Sequence, residues 1–357
     1  MGDILIYVMA GFALLGAIDR VLGCRLGLGE EFEKGILTMG TLALSMLGII
    51  ALAPVLASVL RPVVVPVFTF LGADPAMFAG TILACDMGGA VLAQQLSSNP
   101  EVAVLGGLIT GSMLGATLVF TIPVAMGILQ PEDRPFFAKG VLYGIVTIPV
   151  GILAGGLTAG ISLGLVLRNL VPVVLLGAVV ALGLWKWEKA MLRGFVGFGK
   201  GVVALVTLGL GLAILKSLTG LSLLPGLGDL SEGYLTVGAI AVVLAGAFPL
   251  VKVVTRVLQK PLAFVGRKLG VNDQAAAGFV ATLANSVATL DKVKQMDNRG
   301  KVLNIAFAVS ASFAFGDHLG FAASFAPQYL LPVIVGKLAG GISAVLLASA
   351  LTRKDCS

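Results

Sequence analysis

Residues 83–93 read LACDMGGAVLA, and this short stretch constrains how the whole chain can fold. Asp86 interrupts a run of apolar residues and is followed at once by Met87, Gly88 and Gly89. Adjacent glycines weaken a helix, so the pattern predicts a helix broken beside a carboxylate. The chain around it is strongly apolar, with a mean hydropathy of +1.04 and 12% charged residues. Soluble domains carry about 25% charged residues, so we expect the break to lie inside a membrane.

Apolar runs of roughly the length that crosses a bilayer, about 20 residues, recur along the chain. They cover residues 36–60, 102–129, 141–167, 170–185 and 328–351. The runs are continuous, whereas strands of a membrane barrel alternate apolar and polar residues. A first run, residues 4–18, lacks a basic leader and is predicted to remain as a helix. The predicted fold class is therefore an all-α polytopic membrane protein with about 9–11 transmembrane helices.

Charge and cysteine content exclude several other classes. The net charge of +6 comes mainly from loop lysines and arginines, which orient membrane proteins, so no nucleic-acid partner is expected. Cys24, Cys85 and Cys356 are far apart and have neither metal-binding nor redox spacing. The sequence contains no recognisable nucleotide loop, metal-ligand cluster or catalytic triad. We predict no metal and no cofactor; the bilayer is the expected surroundings, and glycine-rich helix faces favour a homodimer.

The chain also contains an internal repeat within its single transmembrane domain, residues 1–357. GLGEEFEKGILTMG begins at Gly27, and the similar GLGDLSEGYLTVG begins at Gly226. Beyond these loops a constant offset of 198 residues pairs Thr38 with Thr236 and Lys139 with Lys337. The predicted division is repeat 1 at 7–167, a linking helix and interfacial segment at 168–200, and repeat 2 at 201–351.

Loop charges predict how the two copies are oriented. Residues 272–291 lie between two basic stretches, which the positive-inside tendency places together in the cytoplasm. A segment that leaves and returns to one face is re-entrant, and its alanine-rich composition suits that role. Its counterpart, residues 74–96, has few flanking positive charges and suits the outer face. The repeats are then inverted, each with a broken or re-entrant segment; the alternative is eleven full spans in two parallel repeats.

Inverted repeats with broken helices hold their substrate near the bilayer midplane. A carboxylate at that depth is a candidate functional group whose natural ligand is a cation, which assigns Asp86, with Met87 and Gly88 at the break. The simpler alternative is that Asp86 caps the second half of the helix. In the second copy, Asn285 and Ser286 are uncharged and suit a hydroxyl or an amide. Together these residues favour a small molecule with one cationic end and one hydroxyl end.

A third candidate cluster is SASFAFGDHLG, residues 310–320. Asp317 and the single histidine, His318, interrupt an apolar span there. Asp317 could complete a cation site, and His318 could be its partner or a proton relay. Phe313 and Phe315 could offer cation–π contacts. The alternative is that Asp317 and His318 mark a helix end near the membrane surface.

The chain resembles the ethanolamine-utilisation membrane protein family, EutH. The resemblance rests on GLGEEFEKGILTMG with the following LALSMLGIIALAP, on DPAMFAGTILACDMGGAVLA, and on FGDHLGFAA. It covers the whole chain and implies facilitated uptake of ethanolamine across the cytoplasmic membrane, beside a cytosolic ammonia-lyase pathway. An asparagine commonly precedes the aspartate of the DMGG motif in the family, where this chain has Cys85. The resemblance supplies no residue roles, so the site residues above rest on the sequence pattern.

The chemistry of ethanolamine agrees with these residues, because its ammonium group needs a carboxylate and its other end is a hydroxyl. The sequence therefore predicts a multi-pass transporter of the bacterial cytoplasmic (inner) membrane that takes up ethanolamine by alternating access. Asp86 would bind the ammonium, and Asn285 or Ser286 the hydroxyl. The alternatives are an ion-coupled transporter of another small amine, a passive pore, and a membrane enzyme acting on a lipid headgroup. The enzyme is disfavoured by the single histidine and the lack of paired catalytic carboxylates, so the chain is not expected to be an enzyme.

Overall fold

The computed structural model describes residues 2–352, so Cys356 lies outside the described part of the chain. These residues form helices and connecting turns, with no strand among them. The α-helices are α1 Gly2–Val21, α2 Leu28–Phe70, α3 Ala76–Ile82, α4 Ala90–Leu96, α5 Pro100–Ala103, α6 Ile122–Ile128, α7 Arg134–Thr158, α8 Leu163–Thr219, α9 Leu230–Leu269, α10 Asp273–Ala284, α11 Ser286–Leu290, α12 Asn298–Ala311, α13 Asp317–Phe325 and α14 Leu330–Leu351. Three π-helical segments, Cys85–Gly89, Val104–Gly115 and Thr117–Thr121, and three 3-10 turns, Pro131–Asp133, Val293–Gln295 and Pro327–Tyr329, complete the sequence of elements.

The protein is a multi-pass membrane protein. Among the described residues, six helical stretches are long and apolar enough to cross a bilayer: Leu28–Phe70, Pro100–Ile128, Pro131–Thr158, Leu163–Thr219, Leu230–Val257 and Pro327–Leu351. Six is fewer than the predicted 9–11. One reason is that the predicted span 170–185 and the beginning of the predicted second repeat, from residue 201, belong to the single long helix α8. Outward-facing apolar side chains such as Leu218 and Phe70 are the surface that such a protein offers to lipid.

The long helix α8 is bent, not straight. Trp187 has non-helical backbone angles (φ −135°, ψ 46°), and the bend lets Met191 pack against Gly183. Trp185 and Trp187 are both exposed, as tryptophans at a membrane–water interface are. The stretch 186–200, predicted from its sequence to be interfacial, is helical and begins at this bend.

Two segments form broken helical hairpins whose ends meet. In the first, α3 and α4 are separated by extended residues Leu83 and Ala84, and the Ser97 hydroxyl donates to Asp74 Oδ2 at 2.8 Å. In the second, α10 and α11 are separated by Asn285, whose backbone is extended (φ −158°, ψ 123°). There Asn272 Nδ2 donates to the carbonyl oxygen of Gln295 at 2.9 Å. Each hairpin therefore ends next to the residue at which it began.

Helices α2 and α9 pack antiparallel, and equivalent positions of the two helices form the same glycine contact at two places. A Cβ atom on Gly35 would lie 2.5 Å from the backbone nitrogen of Ala245, and one on Gly233 would lie 2.5 Å from Leu47 Cδ2. Gly35 and Gly233 are 198 residues apart, as are Leu47 and Ala245. Gly72 and Gly270, separated by the same offset, both adopt left-handed angles just after these helices (φ +71° and +69°).

Small residues let the remaining helices approach closely, as they do in other membrane bundles. Gly151 and Gly155 of α7 lie against Gly336 and Gly340 of α14 in an antiparallel pair. The stretch Pro100–Ile128 lies in the interior, with its most apolar part wholly buried. The tip of the first hairpin, residues 83–89, packs directly on this stretch, because Gly111 and Gly115 lie against the backbone of Cys85 and Leu83.

The α2–α8 contact provides a test of this packing. A Cβ atom on Gly48 would overlap the carbonyl oxygen of Val206, so Gly48→Ala should destabilise the protein by about 1–3 kcal/mol through forced backbone movement. Gly40→Ala is the matched control, because Gly40 lies on the same helix with nothing within 4 Å of such an atom. Thermal unfolding in detergent, monitored by size-exclusion chromatography, should give a lower Tm for Gly48→Ala and an unchanged Tm for Gly40→Ala. Equal Tm values for the two variants would contradict this account of the contact.

Candidate functional site

The backbone at the first hairpin tip turns sharply around Asp86. The amide nitrogens of Met87 and Gly89 both donate to the carbonyl oxygen of Ala84, at 3.1 and 2.9 Å. Gly88 has a left-handed backbone (φ +93°), and a Cβ atom there would overlap the side chain of Ile49. Only glycine meets both demands without strain. The residues at the N-cap positions of the π-helical segment and of α4 are Ala84 and Gly89, which form no side-chain cap, and Asp86 lies in the first turn of the π-helical segment.

Asp86 is the first member of a chain of polar contacts that runs into the interior. Its Oδ1 atom lies 3.7 Å from Nε2 of His318, and Nδ1 of His318 lies 3.1 Å from Nζ of Lys337. Lys337 Nζ in turn donates to the carbonyl oxygen of Ser112 at 2.5 Å. His318 and Lys337 are buried, whereas 16% of the Asp86 side chain is exposed. The carboxylate thus faces a cavity and is backed by an imidazole and an ammonium group.

Lys337 was not among the residues predicted for the site. Its sequence signal was available, because it is the one charged residue in the span LLPVIVGKLAGGISAVLLASAL. An ionisable residue in the middle of a membrane span is a candidate functional residue by default.

Asp86 opens into a cavity of about 670 Å³, within the range of ligand sites. Met87, Asp317 and His318 line it with Asp86, and so do three hydroxyl residues of α2: Thr38, Thr41 and Ser45. Most of the remaining wall is apolar, including Phe120 and Phe313, and Lys200 is also part of the wall. The fold therefore brings together two carboxylates, one imidazole and three hydroxyl groups from separate parts of the sequence.

The break between α12 and α13 positions Asp317 and His318. The backbone nitrogens of Phe313 and Phe315 donate to the carbonyl oxygens of Thr282 and Leu283, at 3.2 and 2.9 Å, so this break packs against the second hairpin tip. Asp317 then begins α13. The two residues do mark a helix end, and His318 is buried within the protein. Of the two phenylalanines, Phe313 lines the cavity and Phe315 does not.

The remaining predicted residues lie apart from this cavity. Asn285 lines a second cavity of about 510 Å³, which shares Asp317, Thr38 and Thr41 with the first. Its side-chain oxygen accepts from the backbone nitrogen of Val287 and so caps α11. Ser286 is buried, and its hydroxyl oxygen has no hydrogen-bond partner and reaches neither cavity. Gly88 lies behind the tip, against Ile49, where it shapes the turn and does not line the cavity.

Three side chains of metal-binding type meet at the tip. Donor atoms of Cys85, Asp86 and His318 lie within 4.8 Å of one another, and all three are ligand types of zinc. The sequence alone did not indicate this cluster, because its members come from distant segments. The Lys337 ammonium contacts the same imidazole and would repel a divalent cation. We therefore do not assign a metal to this set of residues.

A polytopic bundle with broken helices, whose carboxylates face an internal cavity, is the architecture of a membrane transporter. The family model described as "Ethanolamine utilisation protein, EutH" matches residues 1–351, and the chain belongs to the EutH family. No solved structure matches it significantly.

Three relatives illustrate the similarity. The chain is 55% identical to the probable ethanolamine permease EutH of Listeria monocytogenes over 345 residues, covering 97% of this chain and 92% of that protein. It is 48% identical to the probable ethanolamine permease EutH of Salmonella typhimurium, covering 99% and 96%. It is also 46% identical to the uncharacterized protein YxeR of Bacillus subtilis, covering 99% and 95%.

The geometry of the tip predicts the effect of Gly88→Ala. The left-handed backbone and the overlap with Ile49 should destabilise the tip by about 1–3 kcal/mol. Cys85, three residues away, is fully buried, so a loosened tip should let a maleimide reach its thiol faster. Gly11→Ala is the control, since Gly11 has open space around it. Unchanged labelling of Cys85 in Gly88→Ala would mean that the tip tolerates a side chain there.

Proposed function

We propose that this protein takes up ethanolamine across the bacterial cytoplasmic membrane. The observation that carries the proposal is the pair of carboxylates, Asp86 and Asp317, that face one cavity at membrane depth beside the hydroxyl groups of α2. Membership of the EutH family and the name permease, which two of the relatives above bear, support transport over catalysis.

The cavity offers suitable groups for both ends of ethanolamine. The protonated amine would bind Asp86, with Asp317 as the second negative charge. The hydroxyl end would reach the threonines of α2, in place of the Asn285 or Ser286 that the sequence suggested. The Thr38 hydroxyl donates to the carbonyl oxygen of Lys34, and that of Thr41 to the carbonyl oxygen of Thr38, both at 2.8 Å. Their oxygens therefore remain available to accept a hydrogen bond from the substrate.

An ion pair that leaves water has a desolvation cost, and further hydrogen bonds must offset it. The His318 imidazole behind Asp86 and the aromatic ring of Phe313 in the wall are suited to this. Phe313 and His318 contact each other, with ring centroids 5.1 Å apart. A cation in the cavity could therefore lie against the carboxylate and near an aromatic face at the same time.

Inverted repeats would explain how the site becomes accessible from both sides. The α2–α9 contact, made twice with the partners exchanged, is what a two-fold relation between the halves produces. The loop that contains Gly27, in the first repeat, supports opposite orientations of the two repeats. Lys252 Nζ donates to the carbonyl oxygen of Gly27 at 2.8 Å. That loop thus lies beside a basic stretch with cytoplasmic character, whereas loop charges favour the outer face for 220–233.

The hairpins would then enter from opposite faces and meet at the midplane. In this scheme 7–167 and 201–351 are the moving repeats, and 168–200 links them. Movement of one repeat against the other would expose the cavity alternately to each side. Gly197 and Gly201 of α8 have open space beside them and offer a close contact for the homodimer that the sequence favours.

Removal of the carboxylate is the direct test of the site. Asp86→Asn keeps the shape but removes the charge, so saturable uptake of labelled ethanolamine should fall by about 10- to 100-fold, as expected for loss of a charge-assisted contact. Proteoliposomes at mildly acidic pH are suitable, because the neutral amine that crosses lipid unaided is scarce there. Asp229→Asn, an exposed carboxylate paired with Lys216, is the matched control. Normal uptake by Asp86→Asn would exclude Asp86 as the cation ligand.

The orientation of the hairpins is open to cysteine labelling. Lys268→Cys and Lys294→Cys flank the second hairpin, and Ser98→Cys lies at the end of the first; all three positions are exposed. With a membrane-impermeant maleimide, the first two should label from the cytoplasmic face and Ser98→Cys from the outer face. Labelling of positions 268 and 294 from opposite faces would mean that the second segment spans the membrane.

A further inference from the structure

The least expected side chain in the interior is Lys337. It lies in the middle of α14 and is 1% exposed. Within the described residues it makes no ion pair, and its Nζ atom forms hydrogen bonds with Ser112 and His318. A buried ammonium group is costly in a membrane, and a methionine would fill the same space without that cost. A packing role alone therefore does not account for a lysine at this position.

We propose that Lys337 sets the net charge of the cavity so that a single monovalent cation neutralises it. This inference rests on the proposed function, because it concerns which amines the same site accepts. It makes Lys337 a positioning residue that determines specificity. Lys337 does not line the cavity; it lies behind His318 and acts on the bound cation through that imidazole and through its charge.

The charge balance follows from the groups around the cavity. Asp86 and Asp317 contribute two negative charges and Lys337 one positive charge, which leaves a single negative charge. This net charge stays the same if a proton moves from Lys337 through His318 to Asp86, because the transfer neutralises one positive and one negative charge together. One ammonium ion brings the sum to zero, whereas a dication leaves an excess positive charge and a neutral diol leaves the negative charge uncompensated. Uncompensated charge is strongly disfavoured in a desolvated site.

Other charged groups near the cavity do not alter this balance. Lys200 lines the cavity but is exposed. Lys34, beside the neighbouring cavity, is the charged neighbour of Asp317, but it is 67% exposed and forms an ion pair with Glu31 at 3.9 Å, so this pair adds no net charge. Charges in contact with water are screened. Cys85 is fully buried, and burial favours the uncharged thiol. The groups buried at the tip are therefore the ones that set the electrostatic preference.

The test compares amines of different charge in the same variant. Wild type should take up ethanolamine and bind 1,3-diaminopropane, a dication at neutral pH, at least about tenfold more weakly, a difference of about 1.4 kcal/mol. Lys337→Met leaves two negative charges, so the preference should shift at least about tenfold towards the dication. Lys337→Arg keeps the charge and should resemble wild type. Lys189→Met removes an exposed lysine outside the cavity and should leave the preference unchanged.

The double variant Asp86→Asn with Lys337→Met separates charge from packing. It restores a single negative charge, so its preference should return towards the monovalent amine although its total uptake is low. Competition binding to purified protein in detergent gives this ratio even where uptake is weak. If Lys337→Met does not fold, Lys337→Gln, which also removes the charge, is measured in the same way.

The possible outcomes are distinguishable. A reversed preference in Lys337→Met that returns in the double variant would support the inference. Ethanolamine uptake with the same charge preference in wild type, Lys337→Met and Lys337→Gln would overturn it while leaving the proposed function intact. Wild type that neither binds nor transports ethanolamine would overturn the proposed function itself.

Discussion

The contact between Asp86 and His318 joins two helix breaks inside the protein, and much of the fold serves to make it possible. A carboxylate at membrane depth is tolerated only where protein or water surrounds it. Here the first hairpin tip supplies the carboxylate, the break before α13 supplies the imidazole, and α14 supplies the ammonium group behind it. None of these three elements could satisfy its own polar group alone.

Close approach of the backbone is what allows the tips to reach the centre. Gly80 of α3 lies against the carbonyl oxygen of Gly106, and Gly115 lies against that of Leu83, so the first tip packs directly on the buried Pro100–Ile128 stretch. Gly316 is placed in the same way against Ala284 of the second tip. Glycine at these positions replaces side-chain packing with backbone contact. The polar backbone atoms freed by the breaks then remain inside the protein, away from lipid.

The arrangement also suits a transported cation better than a permanently bound one. Asp86 and Asp317 face open space, and two cavities meet at Asp317 and the threonines of α2. A small ammonium compound could therefore exchange one carboxylate for the other as it moves. In the proposed mechanism, the buried lysine would keep the number of unbalanced charges small and so limit the cost of returning the empty site.

Much of the chemistry followed from the sequence alone, for physical reasons that are local. A run of apolar residues long enough to span a bilayer must be helical, and two glycines after Asp86 must weaken that helix, whatever surrounds them. The helical membrane fold and the break at residues 83–89 were predictable on this basis, whereas substrate binding by Asp86, Asp317 and His318 stays a prediction. What only the tertiary structure decided was proximity: that Lys337 contacts His318, that Asn285 faces a neighbouring cavity, and that α8 continues from the predicted span 170–185 into the second repeat. These depend on how distant helices pack, and packing is set by side-chain shapes across the whole interior, which no local pattern records.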